Sequence, residues 1–383
     1  MELGEFVEKN NDGLQEKNIT DITKHKIKYI SDYVDNWVYS LVGWDDCNNI
    51  NFIDCMCNAG VYKDCTLATS MEVLNVFIKH AKVHPNKTFN LFLNDYDSRR
   101  IEIIKDLILI INSKIPDNVN IFFDVMDVND YIESIDKYND KLKNNSCTLL
   151  FVDPYNFGTV KIKLLHEFLK KYYSELIFNY FSSDYLRNIN NTSAMPKIEN
   201  IISSMEGVPG YSSNMDEKAV LNLIQQYLKT TRIDHIFTYQ FRTKTNTPLY
   251  SIVFATPNKR GLEKIKESYW RVFEGDPFYR NSSESDLEDT MQLSLFEDRE
   301  MNEAMYISEA KELLMENFRN YTISYDTIAA FLLDTTMLKK GQILSGVIKP
   351  LIHDGKIVKM NNNGARDFLR DEYIIRDEEK SDG

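Results

Sequence analysis

The chain has 383 residues, 43% of them hydrophobic and 27% charged, a size and balance that suit one large α/β domain and a small second one. Its formal net charge of −13 excludes a protein that coats nucleic acid indiscriminately, although 45 Lys and Arg residues leave room for a local basic surface. No apolar run is long enough to span a bilayer, and the first residues lack the basic and apolar regions of a signal peptide, so a cytoplasmic protein without a membrane partner is expected. Cys47, Cys55, Cys57 and Cys65 cluster without a CxxC pair, which predicts reduced, buried thiols rather than a metal centre or a disulfide framework.

Apolar residues at helical spacing (Ile27, Ile30, Val34, Trp37, Leu41) predict a helix over 20–42, with Thr20 or Asp21 as its cap. Continuous apolar runs predict strands over 51–54, 88–94, 120–125, 148–152 and 175–181, separated by helices over 67–80, 99–111 and 160–173. This alternation implies a parallel sheet with right-handed crossovers. The rhythm breaks over 188–230, a polar, Ser-rich stretch with Pro and Gly that turns helical from 215. It reads as an insertion over the carboxyl edge of the sheet, where a lid belongs. Strands over 233–242 and 249–255 then form a terminal hairpin. Residues 275–300 have the acidic, Ser-rich composition of a linker. Helices over 301–318, 326–333 and 339–353, a strand over 355–360 and a pairing segment over 372–376 make a winged helix. The expected domains are 1–274, an α/β Rossmann-like sheet domain; 275–300, a linker; and 301–383, a winged helix.

Several segments together resemble one family over nearly the whole chain. They are Thr23-Lys24-His25 at the first helix, Ile53-Asp54 and Val152-Asp153-Pro154-Tyr155 at two strand ends, and residues 250–256. Residues 261–270, with Lys264 and Trp270, and the C-terminal segment 351–357 complete the set. The chain is similar in these to the three-Cys-motif partner protein family, which itself looks like class I S-adenosylmethionine (SAM) methyltransferases. The resemblance implies a Rossmann-like sheet closed by an antiparallel hairpin and followed by a winged helix. The family is named for its genomic partnership with a Cys-motif protein resembling radical-SAM enzymes. That implies such a partner here, in a mobile-element or phage-defence setting.

The resemblance also implies a cofactor, SAM, and its ligands. In the first turn, Asp54, Cys57, Asn58 and Gly60 stand where the family shows Asp-x-Phe-Ala-Gly-x-Gly; Asn58 replaces the first glycine, and Asn is the next most tolerant residue of left-handed backbone. Asp95, ending the second strand, is placed to accept ribose hydroxyls, while its neighbour Asp97 suits a helix cap. Asp127, after the third strand, is placed to accept the adenine amino group, or is an exposed loop aspartate. Asp153, Pro154, Tyr155 and Asn156 resemble the Asp/Asn-Pro-Pro-aromatic motif of enzymes that methylate exocyclic amines, with Tyr155 in place of the second proline. The alternative for these four is a strand-ending turn.

Outside this cluster, Arg187 suits a phosphate or a pair with Asp184. Gln292, Leu293, Leu295 and Phe296 look like the peptide with which bacterial replication and repair proteins dock on the sliding clamp; packing on the protein itself is the alternative. Lys339, Lys340, Lys356 and Lys359 of the winged helix suit either duplex DNA or a protein partner. Two functions follow: a SAM-dependent methyltransferase-like protein modifying nucleic acid or a nucleotide-derived amine, or a catalytically degenerate adaptor for DNA or a protein.

Overall fold

The computed structural model of the protein describes residues 2–14, 19–111, 115–156, 158–183, 205, 215–243, 245, 247–280, 291–360 and 371–375. The chain divides into two units, Met1–Gly261 with Phe278–Asn281, and Leu262–Pro277 with Ser282–Gly383.

In the first unit, strands β1 (Asn49–Asp54), β2 (Thr88–Asp95), β3 (Val119–Val125), β4 (Ser146–Val152), β5 (Ser174–Tyr180), β6 (His235–Arg242), β7 (Pro248–Thr256) and β8 (Phe278–Arg280) form one sheet in the order β3-β2-β1-β4-β5-β7-β6-β8. The five strands β1 to β5 are parallel, and β7 runs antiparallel to both β5 and β6. The order reverses between β1 and β4, so a crevice opens at the carboxyl ends of these strands, where open α/β sheets bind ligands. Every residue of β4 and β5 is buried, which is why their sequences are apolar without alternation.

Helices α1 (Leu3–Lys9), α2 (Asp21–Val42), α3 (Thr69–Ala81), α4 (Ser98–Ile111), α5 (Val128–Glu133), α6 (Asn139–Leu142), α7 (Ile162–Lys171) and α8 (Glu217–Leu228) cover the sheet. The cap of α2 is Thr20, whose hydroxyl accepts the Thr23 N–H at 3.2 Å. Strand alternation sends Leu176 and Phe178 of β5 into the core under α7 and α8, and Glu175 and Asn179 to the opposite face. There α2 lies across the sheet: Tyr33 donates to the buried Glu175 carboxylate and stacks edge-on against Phe254, at 5.0 Å between ring centres. Thr256 donates to the same carboxylate at 2.6 Å. The helical end of the segment expected to be a lid is instead a core helix: Val220, Leu223 and Ile224 of α8 are buried with Leu165 and Phe168 of α7. Residues 188–204 and 206–214 of that segment lie outside the described residues, as do Asp184 and Arg187.

A polar ladder crosses the buried sheet. Asn51, Asn90 and Asn120 are partners in register on β1, β2 and β3, and Thr148 is opposite Asn51 on β4. The Asn120 amide donates to Asn90 at 2.9 Å, Asn90 to Asn51 at 2.8 Å, and Asn51 to Thr148 at 3.1 Å and to the Lys141 carbonyl at 2.9 Å. A one-residue slip of any strand would strand these amides among apolar side chains, so the ladder fixes register. Asn90→Leu leaves a buried acceptor on Asn51 and a donor on Asn120 unmade, and should cost about 2–4 kcal/mol in urea denaturation; a loss below about 0.5 kcal/mol would show that the ladder contributes nothing.

The second unit has its own small sheet, β9 (Thr322–Ser324), β10 (Ile357–Lys359) and β11 (Glu372–Ile375), ordered β10-β11-β9 with antiparallel pairing throughout. Its helices include α9 (Lys259–Phe273, from Leu262 onward), α10 (Met291–Phe318) and α11 (Tyr325–Thr335). The helix expected over 339–353 is three consecutive pieces, Lys340–Gln342, a π-helical turn Ile343–Ile348, and Lys349–His353. Lys266 is 1% exposed and donates to the Leu333 and Thr336 carbonyls at the end of α11; burial pushes its ammonium down to about 7. Trp270 is buried too, its indole N–H on the Met337 carbonyl at 2.8 Å. Within the stretch expected as a linker, β8 forms at Phe278–Arg280 and α10 begins at Met291, and residues 281–290 lie outside the described residues. Gln292, Leu293, Leu295 and Phe296 fall in the first turns of α10, and their side chains lie outside the described residues. Among the described residues no helix is long and apolar enough to cross a membrane.

Candidate active site

The carboxyl ends of β1, β2 and β4 and the loop after β3 converge on the crevice. The turn after β1 is built on two left-handed residues, Asn58 at φ 56° and Gly60 at φ 77°. A side chain at position 60 would bring its Cβ to 2.8 Å from Ile104 of α4, so only glycine fits there. Asn58 closes its own turn, its side-chain oxygen accepting the Ala59 N–H at 2.8 Å. Asp54 is 2% exposed and accepts the Met56 N–H at 3.1 Å. Burial pushes its pKa well above the usual carboxylate range, the Met56 bond works against this, and the charges of Asp153 and Asp95 push further in the same direction as burial. Cys55 and Cys57 are buried beside it, and burial raises both thiols, so neither is a ready nucleophile. Cys47, Cys55, Cys57 and Cys147 are buried free thiols, and Cys65 is a half-buried one.

Asp95, expected to face a ribose, is 1% exposed and tied inward. One oxygen accepts the Asn58 N–H and the other the Asp97 N–H, each at 3.0 Å, and Arg100 stands 3.5 Å away. Its first role is therefore to hold the β1 turn. Burial raises its pKa, while these bonds and the Arg100 charge oppose the shift. Asp97 caps α4 through the Arg99 N–H at 2.9 Å, and Asp127 caps α5 through the Asn129 N–H at 2.8 Å.

Two cavities adjoin over these strand ends. The larger, of about 340 Å³, is bordered by Asp95, Tyr96, Arg100, Asp127, Val128 and Asn156 among others. The smaller, of about 170 Å³, is bordered by Lys26, Asp54, Asn58, Tyr62, Asp153 and Pro154 among others, with Cys57 also on its wall. Met56 and Tyr155 border both. The structure thus brings Asp54, Cys57, Asn58, Asp153, Pro154 and Tyr155 together around the smaller cavity. Asp95, Asp127 and Asn156 stand around the larger one, away from the position expected for Asn156 beside Asp153.

Asp153 is held from two sides. Lys26 of α2 lies 2.5 Å from one oxygen, and Asn179 of β5 donates to the other at 2.7 Å. The Lys26 side chain is 10% exposed, the Asp153 side chain 24%, and the ammonium also sits 5.4 Å from the centre of the Tyr250 ring. Arg100 lies between two rings, 5.5 Å from Tyr96 and 5.4 Å from Tyr155, and donates to the Tyr155 hydroxyl at 3.1 Å. Asn94 joins the loops, donating to the carbonyls of Cys55 and Met126 at 3.0 and 3.1 Å.

Lys26, Asn94, Arg100 and Asn179 were missed in the sequence, although each left a signal. Lys26 interrupts the apolar stripe of α2, and Asn94 and Asn179 interrupt apolar strands. Arg100 is a cation in the first turn of a helix, where the macrodipole disfavours it. Among the described residues no group of three His, Cys, Asp or Glu residues could hold a metal ion.

No protein-family model and no curated protein matches the chain. Solved structures similar to it include a Klebsiella pneumoniae protein assigned as an O-methyltransferase, 11% identical, covering 66% of this chain and 89% of its own, with a TM-score of 0.33. A DUF574-family protein of Streptomyces avermitilis is 12% identical over 60% of this chain and 83% of its own, TM-score 0.33. The methyltransferase domain of bacterial CtHen1-C is 10% identical over 59% of this chain and 98% of its own, TM-score 0.30. These likenesses are weak, and the assignment rests on strand order: a parallel sheet reversing between β1 and β4 and closed by an antiparallel β7 is a methyltransferase-like α/β fold.

Proposed function

We propose that the chain is a SAM-dependent methyltransferase acting on an amine of nucleic acid or of a nucleotide-derived compound. The observation that carries this reading is the pair of cavities meeting at Met56 and Tyr155, one bordered by strand-end acids and an exposed aromatic ring, the other by Asp153 and Pro154. The residues present fit the cofactor. The larger cavity alone falls within the size range of small-molecule sites. The left-handed Asn58 shapes the turn on the wall of the smaller cavity, and Gly60 lets that turn pack tightly against α4. In this reading Tyr96, Asp127 and Val128 hold the nucleoside half and Asp54 and Asn58 the amino-acid half. SAM supplies an electrophilic methyl whose bonding pair stays on sulfur as the new bond to the acceptor forms. Asp153 and the Pro154 carbonyl accept hydrogen bonds from the acceptor, orient its lone pair, and Asp153 or solvent takes the proton it loses.

Calorimetry with SAM and S-adenosylhomocysteine (SAH) tests this. One site per chain with a dissociation constant on the order of micromolar is expected, and no heat of binding from a folded sample would refute it.

We also propose that the second unit is a winged helix, supported by its order of helix, strand, helix, helix and two strands. Lys340 is paired with Glu263 at 3.0 Å and Lys359 with Asp371 at 2.5 Å, and Lys339 sits over the Trp270 ring. Lysines already engaged in this way favour a protein partner over duplex DNA. The radical-SAM-type partner and sliding-clamp docking through Gln292–Phe296 are proposals of the same standing, supported by sequence resemblance.

A further inference from the structure

The Lys26–Asp153 pair stands where the acceptor arrives, and its chemistry restricts what that acceptor is. An ionised carboxylate only accepts hydrogen bonds. Lys26, at 2.5 Å, pairs with Asp153 beside the buried Asp54 and occupies one of its lone pairs, and Asn179, at 2.7 Å, occupies another. The remaining lone pairs serve the 24% of the side chain left exposed. A carboxylate or phosphate at that spot meets a like charge. An alkylammonium group finds the carboxylate already neutralised, and the Lys26 ammonium, at 10% exposure, repels it with little solvent between. A neutral N–H or O–H donor meets neither obstacle.

We infer that Lys26 is a specificity-determining positioning residue: by neutralising Asp153 it restricts the acceptor to a neutral hydrogen-bond donor, such as the exocyclic amine of a base, and excludes alkylammonium groups. This rests on the methyltransferase reading above. It also explains why α2, the helix ahead of the sheet, sends a lysine into an otherwise apolar stripe.

Sinefungin, a SAM analogue with a charged amine on carbon where SAM has its methyl on sulfur, places a cation at the transfer point and tests the inference without a known acceptor. SAH is the neutral reference, and calorimetry gives the ratio of the two affinities. Wild-type protein is expected to bind sinefungin no more tightly than SAH. Lys26→Met should shift the ratio towards sinefungin by about tenfold or more, because its amine takes over the vacated carboxylate, and Lys26→Arg should return it to the wild-type value. Asp153→Asn acts in the opposite direction, weakening sinefungin relative to SAH by about tenfold, so one folded variant is sufficient. Ratios that stay within about threefold of wild type in the Met or the Asn variant would overturn the inference while leaving the cofactor site intact. Failure of SAH to bind wild-type protein would instead remove the reading beneath it.

Discussion

Asp153→Ala is expected to lower folding stability by about 3 kcal/mol, because it leaves the Lys26 ammonium at 10% exposure without a counter-ion. Restoring charge balance should recover most of that loss, so the double variant Lys26→Met/Asp153→Ala is expected to lie well above the sum of the single variants. A coupling of about 2 kcal/mol or more in the urea-denaturation cycle is the predicted outcome. Additive effects would show that the pair is solvated and ornamental, and would weaken any role for Lys26 in the smaller cavity. The pair ties α2 to the carboxyl end of β4, as Tyr33 ties the same helix to the start of β5 through Glu175. Both ends of that docking face rest on an acidic side chain of the sheet unit, and loss of either should loosen the wall of the site.

Glu175 gives the second large effect. Burial pushes its pKa from the usual 4.5 up to about 7, with the Thr256 and Tyr33 hydroxyls pulling the other way. The folded state therefore holds this proton more tightly than the unfolded chain. The stabilisation is fully present below pH 4.5 and is lost as pH rises towards about 7. At about 1.4 kcal/mol per pH unit the whole linkage comes to roughly 3 kcal/mol, most of it expended between pH 5 and 7. Glu175→Gln keeps one oxygen to accept from one of the two hydroxyls and presents its NH2 to the other, which turns to accept, but it cannot ionise. The wild-type protein should thus lose about 2–3 kcal/mol relative to this variant between pH 5 and 8, read from urea midpoints. Parallel pH profiles would mean that Glu175 stays ionised in the folded protein.

Much of the sheet was legible because parallel strands buried on both faces print as apolar runs, and because the first four runs end in or just before an acidic residue. Asp54, Asp95, Asp127 and Asp153 were found in this way, and the hairpin of β6 and β7 followed from its turn. Their partners were not legible. Ion pairs and ladders join residues far apart in sequence, as Lys26 joins Asp153 and Asn51 joins Asn90, and periodicity carries no pairing information. Asp95 illustrates the cost: its strand-end position was read correctly, while its engagement by the Asn58 and Asp97 amides depends on the shape of a turn. The first turns of α10 were missed because residues up to 300 were weighed as linker composition. Glu, Met and Leu are also good helix formers, and from Met291 on they outnumber the serines. Strand β9, three residues long, is too short to show a period.

The central claim is that the two adjoining cavities form one SAM site. A crystal structure grown with saturating SAH tests it most directly. The account predicts adenine and ribose in the cavity bordered by Tyr96 and Asp127, and the amino-acid half beside Asp54 and Asn58, with sulfur at the junction marked by Met56 and Tyr155. Clear density for the protein with SAH absent from both cavities, or bound elsewhere, would contradict it.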